Sequence, residues 1–102
     1  LAVDEQFAEA IRSNDLATVK HLLSNRSISP HGRNRNGKGW LQYATAFGST
    51  NAAKTLLEHG ASPKDKDDLG RSALEEAEMW SNGELISLFV EQTNATQRHS
   101  AA

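Results

Sequence analysis

Asn36-Gly37-Lys38-Gly39-Trp40-Leu41-Gln42-Tyr43-Ala44 returns later in the chain as Leu69-Gly70-Arg71-Ser72-Ala73-Leu74-Glu75-Glu76-Ala77. Gly37 and Gly70, Leu41 and Leu74, and Ala44 and Ala77 each stand 33 residues apart. The same spacing links Ala53 to Ile86, Leu56 to Phe89 and Leu57 to Val90. An earlier copy fits at a spacing of 34: Ala10 with Ala44, Asn14 with Gly48, Val19 with Ala53, and Leu22-Leu23 with Leu56-Leu57. One extra residue between Ile28 and Gly37 accounts for the shift. A fixed period of this length marks a repeat architecture, and it sets the fold before any single element is assigned.

Each period reads as helix, turn, longer helix and loop. Phe7, Ala10 and Ile11, then Leu16, Val19, Leu22 and Leu23, fall at helical spacing. Asp4 and Asp15 are placed to cap these two helices, with Asn14 in the turn between them. In the next copy the pattern predicts helices over 40–47 and 50–59 around a Gly48-Ser49 turn. Gly60 stops the longer one, and Pro63 prevents its continuation. The last copy predicts helices over 72–80 and 83–92, turning at Ser81-Asn82. No useful stretch alternates with a period of two, so the expected fold class is all-α. Residues 93–102 are polar and aperiodic, and are expected to form a disordered tail.

The 102 residues fit one small domain with a modest core. With no cysteine there is no disulfide framework, no zinc–thiolate site and no thiol nucleophile. A net charge of −2 argues against bulk attraction to nucleic acid or anionic lipid. Residues 1–51 carry net +2 and residues 52–102 net −4, a polarity that could orient a partner during encounter. No apolar run reaches the length of a membrane span, and no signal-peptide pattern opens the chain. The first residue is Leu, so an excised or processed piece is expected. Composition points to a cytoplasmic or nuclear module.

The repeat resembles the ankyrin repeat, whose copies run D-x-x-G-x-T-P-L-H-x-A and close on L-L-x-x-G-A. One copy matches as Asn34-x-x-Gly37-x-Gly39-Trp40-Leu41-Gln42-x-Ala44, then Gly48, then Leu56-Leu57-Glu58-His59-Gly60-Ala61. The next matches as Asp67-x-x-Gly70-x-Ser72-Ala73-Leu74-Glu75-x-Ala77. The resemblance implies a solenoid of stacked helix–turn–helix units with projecting loops over residues 1–92, its repeats at about 4–33, 34–66 and 67–92. A single unit cannot bury its own apolar stripe, so neighbours create the core and the end copies act as caps. Asp4, Glu5 and Glu9 at one end, and Glu84, Ser87 and Glu91 at the other, fit wetter outer faces. Val3 and Phe7 read instead as remnants of an upstream contact. The Thr-Pro-Leu-His element is intact in neither copy, which predicts lost inter-repeat hydrogen bonds and reduced stability. Asparagine hydroxylation after the Gly-Ala pair is not supported, since that segment reads Ala61-Ser62-Pro63-Lys64.

Catalytic patterns are missing. His21, His31, His59 and His99 show no metal-ligand spacing, so no metal or cofactor is expected. The run from Gly32 to Gly39 lacks the preceding strand and following Ser/Thr of a phosphate loop. Glu75, Glu76 and Glu78 read as a solvated helix face. Two Asn-x-Ser/Thr triplets, at Asn25 and Asn94, carry no meaning in a cytosolic protein.

Binding is what the resemblance implies: a protein or peptide partner meets the loop tips and the exposed ends of the inner helices. Carried onto this sequence, the tips are Arg35, Asn36 and Lys38, then Asp68, Leu69 and Arg71. The helix-end positions are Arg12 and Ser13, Ala46 and Phe47, and Met79 and Trp80, with His59 at the far end of a longer helix. Phe47 and Trp80 hold equivalent, normally wet positions, so they read as interface anchors; alternatively, Trp80 folds back on the stack and covers a weak end cap. Trp40 is expected to pack between neighbouring loops. Nucleic acid through His31, Arg33, Arg35 and Lys38 is the disfavoured second reading. A third makes the domain, otherwise expected to be a monomer, a regulatory or targeting part of a longer enzyme or receptor. A free-standing inhibitor or chaperone of one client stays open.

Overall fold

The computed structural model describes residues 2–34 and 37–101, with side chains as far as residue 92. Among the described residues the elements are α1 (Val3–Arg12), α2 (Leu16–Ser24), α3 (Trp40–Ala46), α4 (Thr50–Glu58), α5 (Ala73–Met79) and α6 (Gly83–Ala101). They form three hairpins, α1–α2, α3–α4 and α5–α6, laid side by side. One row is built by α1, α3 and α5, each touching the next, and a second by α2, α4 and α6. No strand occurs among the described residues. Single antiparallel bridges close the two projecting loops at Arg33–Gly39 and Lys66–Ser72, one period apart.

The core follows the periodic positions. Phe7, Ile11, Val19, Trp40, Ala44, Ala53, Leu56, Ala77, Leu85 and Phe89 are all buried between hairpins. Phe7 thus belongs to the core, contrary to the upstream contact expected of it, while Val3 stays exposed. Trp40 meets the Phe7 ring edge-to-face, centroids 4.8 Å apart, and also meets Tyr43 at 5.8 Å. It therefore seals the seam between the first two hairpins, and it also lines the space between the two loops.

Outer faces differ from seams at matching positions. Gln6, exposed, holds the place that Trp40 and Ala73 fill when buried. Glu78, exposed, holds the place of buried Ile11 and Thr45. Val90 is 41% exposed where Leu23 and Leu57 are covered by a following hairpin.

Local signals mostly match the expected elements. Asp15 caps α2 by accepting from the Thr18 N–H at 3.3 Å and the Thr18 hydroxyl at 2.7 Å. Asp4 does not cap α1; Ala2 holds that position, and Asp4 lies in the first turn, where its charge complements the helix dipole. The α6 helix continues past Gln92 through the segment expected to be an unordered tail. No glycine or proline interrupts 93–101, so nothing in the backbone stops it.

Two loops approach each other closely. Asp68 N–H donates to the Gly37 carbonyl at 3.3 Å, and a Cβ on Gly37 would collide with the Asp68 carboxylate. Gly37 also sits at φ +80°, so glycine is required there twice over. Elsewhere, non-glycine residues also take left-handed turn positions. Asn14, Gly48 and Ser81 share the hairpin turn at φ 59°, 67° and 54°. Arg26 takes the place of Gly60 at φ 64°. Left-handed geometry costs an ordinary L-residue about 1–2 kcal/mol, partly offset by the greater unfolded-state freedom of glycine. Arg26→Gly and Ser81→Gly are each expected to stabilise the fold by about 0.5–1 kcal/mol, read as raised urea midpoints, and Gly60→Val to lower it.

Candidate functional site

Ser13, Phe47 and Trp80 each close a helix of the first row, with φ/ψ of −90°/0°, −91°/0° and −86°/−1°. Matching backbone geometry one repeat apart turns these side chains to a common face, spaced by the roughly 8–10 Å separation of packed helices. Serine fills one position and large apolar groups the other two. Phe47 is 54% exposed, Trp80 59% and its neighbour Met79 54%. Open apolar groups of this size make these two helix ends candidate contact positions.

A network joins the column to the first hairpin. Arg12 Nη1 donates to the Tyr43 hydroxyl at 2.7 Å, and the Tyr43 ring lies 4.9 Å from that of Phe47, tilted by 47°. Sequence reading named Arg12 and Phe47 but missed Tyr43, which connects them. Its signal was present: Tyr43 precedes Phe47 by one helical turn.

The expected loop-tip residues divide. Leu69 is 79% exposed, and Arg71 is exposed beside it. Asp68 is tied back by Arg33, which also donates to the Lys66 carbonyl at 2.7 Å. Lys38 turns into the stack, its Nζ 2.5 Å from Glu76 Oε1. Glu76 is 1% exposed, so the reading of Glu75, Glu76 and Glu78 as one solvated face fails at its middle member. Helical spacing turns Glu76 inward with Ala73 and Ala77, while Glu75 stays outside and meets Lys66 at 3.1 Å. The second carboxylate oxygen of Glu76 is buried without a hydrogen bond. Arg35 and Asn36 lie outside the described residues. His59 folds onto its own helix, its Nδ1 2.9 Å from the Thr55 carbonyl, on the opposite row from the aromatic column.

Inter-repeat hydrogen bonding survives the altered motif. Gln42 accepts from the Gly39 N–H at 3.0 Å and donates to Asp67 Oδ2 at 3.0 Å and the Arg71 carbonyl at 2.7 Å. One buried amide therefore supplies the ties whose loss the sequence predicted. Asp67 also accepts from the Leu69 and Arg71 N–H groups, both at 2.9 Å. Burial pushes its carboxyl upward, but the Arg71 and Leu69 amides, Gln42 and the Lys38 charge outweigh it. The pKa falls below the ordinary 3.8.

A hollow of about 340 Å³ opens between the two loops, lined by His31, Arg33, Trp40, Gln42, Asp65 and Lys66. Its basic side chains each meet a carboxylate, two on the neighbouring loop and one on α5. His31 Nδ1 is 3.0 Å from Asp65, Arg33 pairs with Asp68, and Lys66 with Glu75. Of the basic cluster considered for nucleic acid, His31 and Arg33 face carboxylates of the next loop.

Comparison with known proteins agrees with this architecture. A family model described as ankyrin repeats, in three copies, matches residues 7–99. A curated relative, the potassium channel GORK of Arabidopsis thaliana, is 34% identical over 85 residues, which cover 83% of this chain and 10% of the channel. The chain thus spans about a tenth of that relative's length. Among the described residues no helix is long and apolar enough to cross a membrane.

Two substitutions test the buried ties. Lys38→Met strands the Glu76 carboxylate and is expected to cost about 2–3 kcal/mol, below the range for a fully buried pair because Lys38 is partly exposed. Lys38→Met with Glu76→Leu should recover most of that loss in urea melts. Because the folded pKa of Asp67 is depressed, its contribution is complete above the ordinary 3.8 and is lost as pH falls through the lower folded value. Asp67→Asn should flatten that part of the acid limb of stability against pH.

Proposed function

The chain belongs to the ankyrin-repeat family, and from that premise we infer that it is a protein–protein interaction module working without catalysis. Ankyrin repeats are generally protein-interaction modules. The finer reading is that a peptide or protein partner docks on the concave face of the inner helices, the row of α1, α3 and α5, and on the neighbouring loop tips. The observation that carries it is the pair of open aromatics, Phe47 and Trp80, at equivalent helix ends. A cover for the end cap would account for Trp80 alone. It would not account for Phe47, which sits one repeat inward and is equally open.

Roles divide by environment. Phe47, Met79 and Trp80 supply apolar area that a partner can desolvate. Arg12, joined to Phe47 through Tyr43, and the exposed Leu69 and Arg71 on the loop before α5 would set orientation. Lys38 and Asp68, bound within the stack, act by holding the loops still, a rigidity that lowers the entropic cost of docking. The module would work as a monomer in the cytoplasm or nucleus.

A second reading makes this module the regulatory or targeting part of a longer protein. It is favoured by the match to a tenth of a potassium channel, and it uses the same face. Nucleic-acid binding is disfavoured, since among the described members of its cluster His31, Arg33 and Lys38 each face a carboxylate.

Phe47→Ala and Trp80→Ala are each expected to weaken partner binding by roughly 2 kcal/mol or more. Stability should change little, against about 3–5 kcal/mol for a core aromatic. Affinity capture followed by mass spectrometry, with wild type and the double variant in parallel, identifies the partner lost. Urea melts of the same proteins separate the two effects, and collapse of the doubly substituted fold would reject the interface.

A further inference from the structure

The charges around the aromatic column are unevenly committed. Arg33, Lys38 and Lys66 each have a carboxylate partner. Arg12 is exposed, gives one N–H to Tyr43, and pairs with no carboxylate among the described residues. A guanidinium carries five donors in a planar fork, so most of them remain directed to solvent. The Tyr43 hydroxyl fixes this cation next to an aromatic surface in place of leaving it on a mobile stem. One oriented cation, then Phe47, then Met79 and Trp80, succeed one another across the three hairpins.

We propose that this face takes a partner segment bearing an acidic side chain beside two bulky apolar ones, the carboxylate on Arg12 and the apolar groups against Phe47 and against Met79–Trp80. The proposal rests on the reading of this face as the docking surface and names the chemistry it selects. Carboxylate and guanidinium meet through charge-assisted, bidentate hydrogen bonds that a neutral or basic segment cannot make. The apolar groups must be about 8–10 Å apart to match neighbouring helices. That step lies near the same-face spacing of residues seven apart on a helix, about 10.5 Å, and between the same-face spacings of residues two and four apart in an extended chain, about 6.6 and 13.2 Å.

Random-peptide phage display on the full chain tests it. The enriched sequences should share an Asp or Glu on one side of a bulky apolar pair at one of those spacings. A synthetic peptide of that consensus should bind Arg12→Glu at least tenfold more weakly than wild type by calorimetry. The same peptide with Lys in place of its acid should regain affinity for Arg12→Glu, which separates a charge contact from a damaged fold. Binding should vanish in Phe47→Ser/Trp80→Ser, whose helical melting should stay near that of wild type. A consensus without an acidic position, or indifference to Arg12→Glu, overturns the acidic preference and leaves the docking face standing. A peptide retained by Phe47→Ser/Trp80→Ser overturns both, and failure to enrich any peptide overturns the proposal.

Discussion

Everything in this molecule depends on lateral burial between hairpins. Each hairpin presents an apolar stripe it cannot cover by itself, and only a neighbour set beside it removes that stripe from water. Phe7 against Trp40 is the clearest instance, since the two buried rings meet edge-to-face across the seam between the first two hairpins. The polar ties reinforce the same seams. Gln42 reaches from one repeat into the turn of the next, and Lys38 crosses to Glu76. Cohesion is therefore local and sequential, and the surface left over at each helix end is free to carry recognition.

The fold was legible because it rests on spacing. Recurrence of Gly37 at Gly70, of Ala10 at Ala44 and Ala77, and of the Leu pairs fixed the period, and the period fixed the hairpins. Turn positions followed from backbone chemistry even where glycine is missing, as at Asn14 and Ser81. What could not be read is pairing between residues distant in the chain. Glu76 looks like any acidic residue on a short helix; only the position of Lys38, brought in by the preceding loop, explains its burial. Gln42 likewise resembles a lost histidine until its partners in the next turn are seen. The end of α6 was misread for another reason. Polar, aperiodic composition removes a packing signal but supplies no stop signal.

The candidate site was half legible. Equivalence under the repeat singled out Phe47 and Trp80, and both are exposed. The assignment of loop charges was poorer, because repeat position indicates where a side chain starts and not what it meets. Asp68 and Lys38 begin at loop tips yet end in contacts within the stack. Arg12 begins at a helix end and, through Tyr43, becomes part of the aromatic face.

The two tryptophans stand in opposite settings: Trp40 is 2% exposed at a seam and Trp80 59% exposed at the end of α5. The protein thus carries a pair of intrinsic chromophores whose emission reports on different events. Light from the enclosed indole registers whether the first two hairpins remain together, and light from the open one registers whether anything has settled on the surface, so unfolding and encounter can be followed separately in an unlabelled sample.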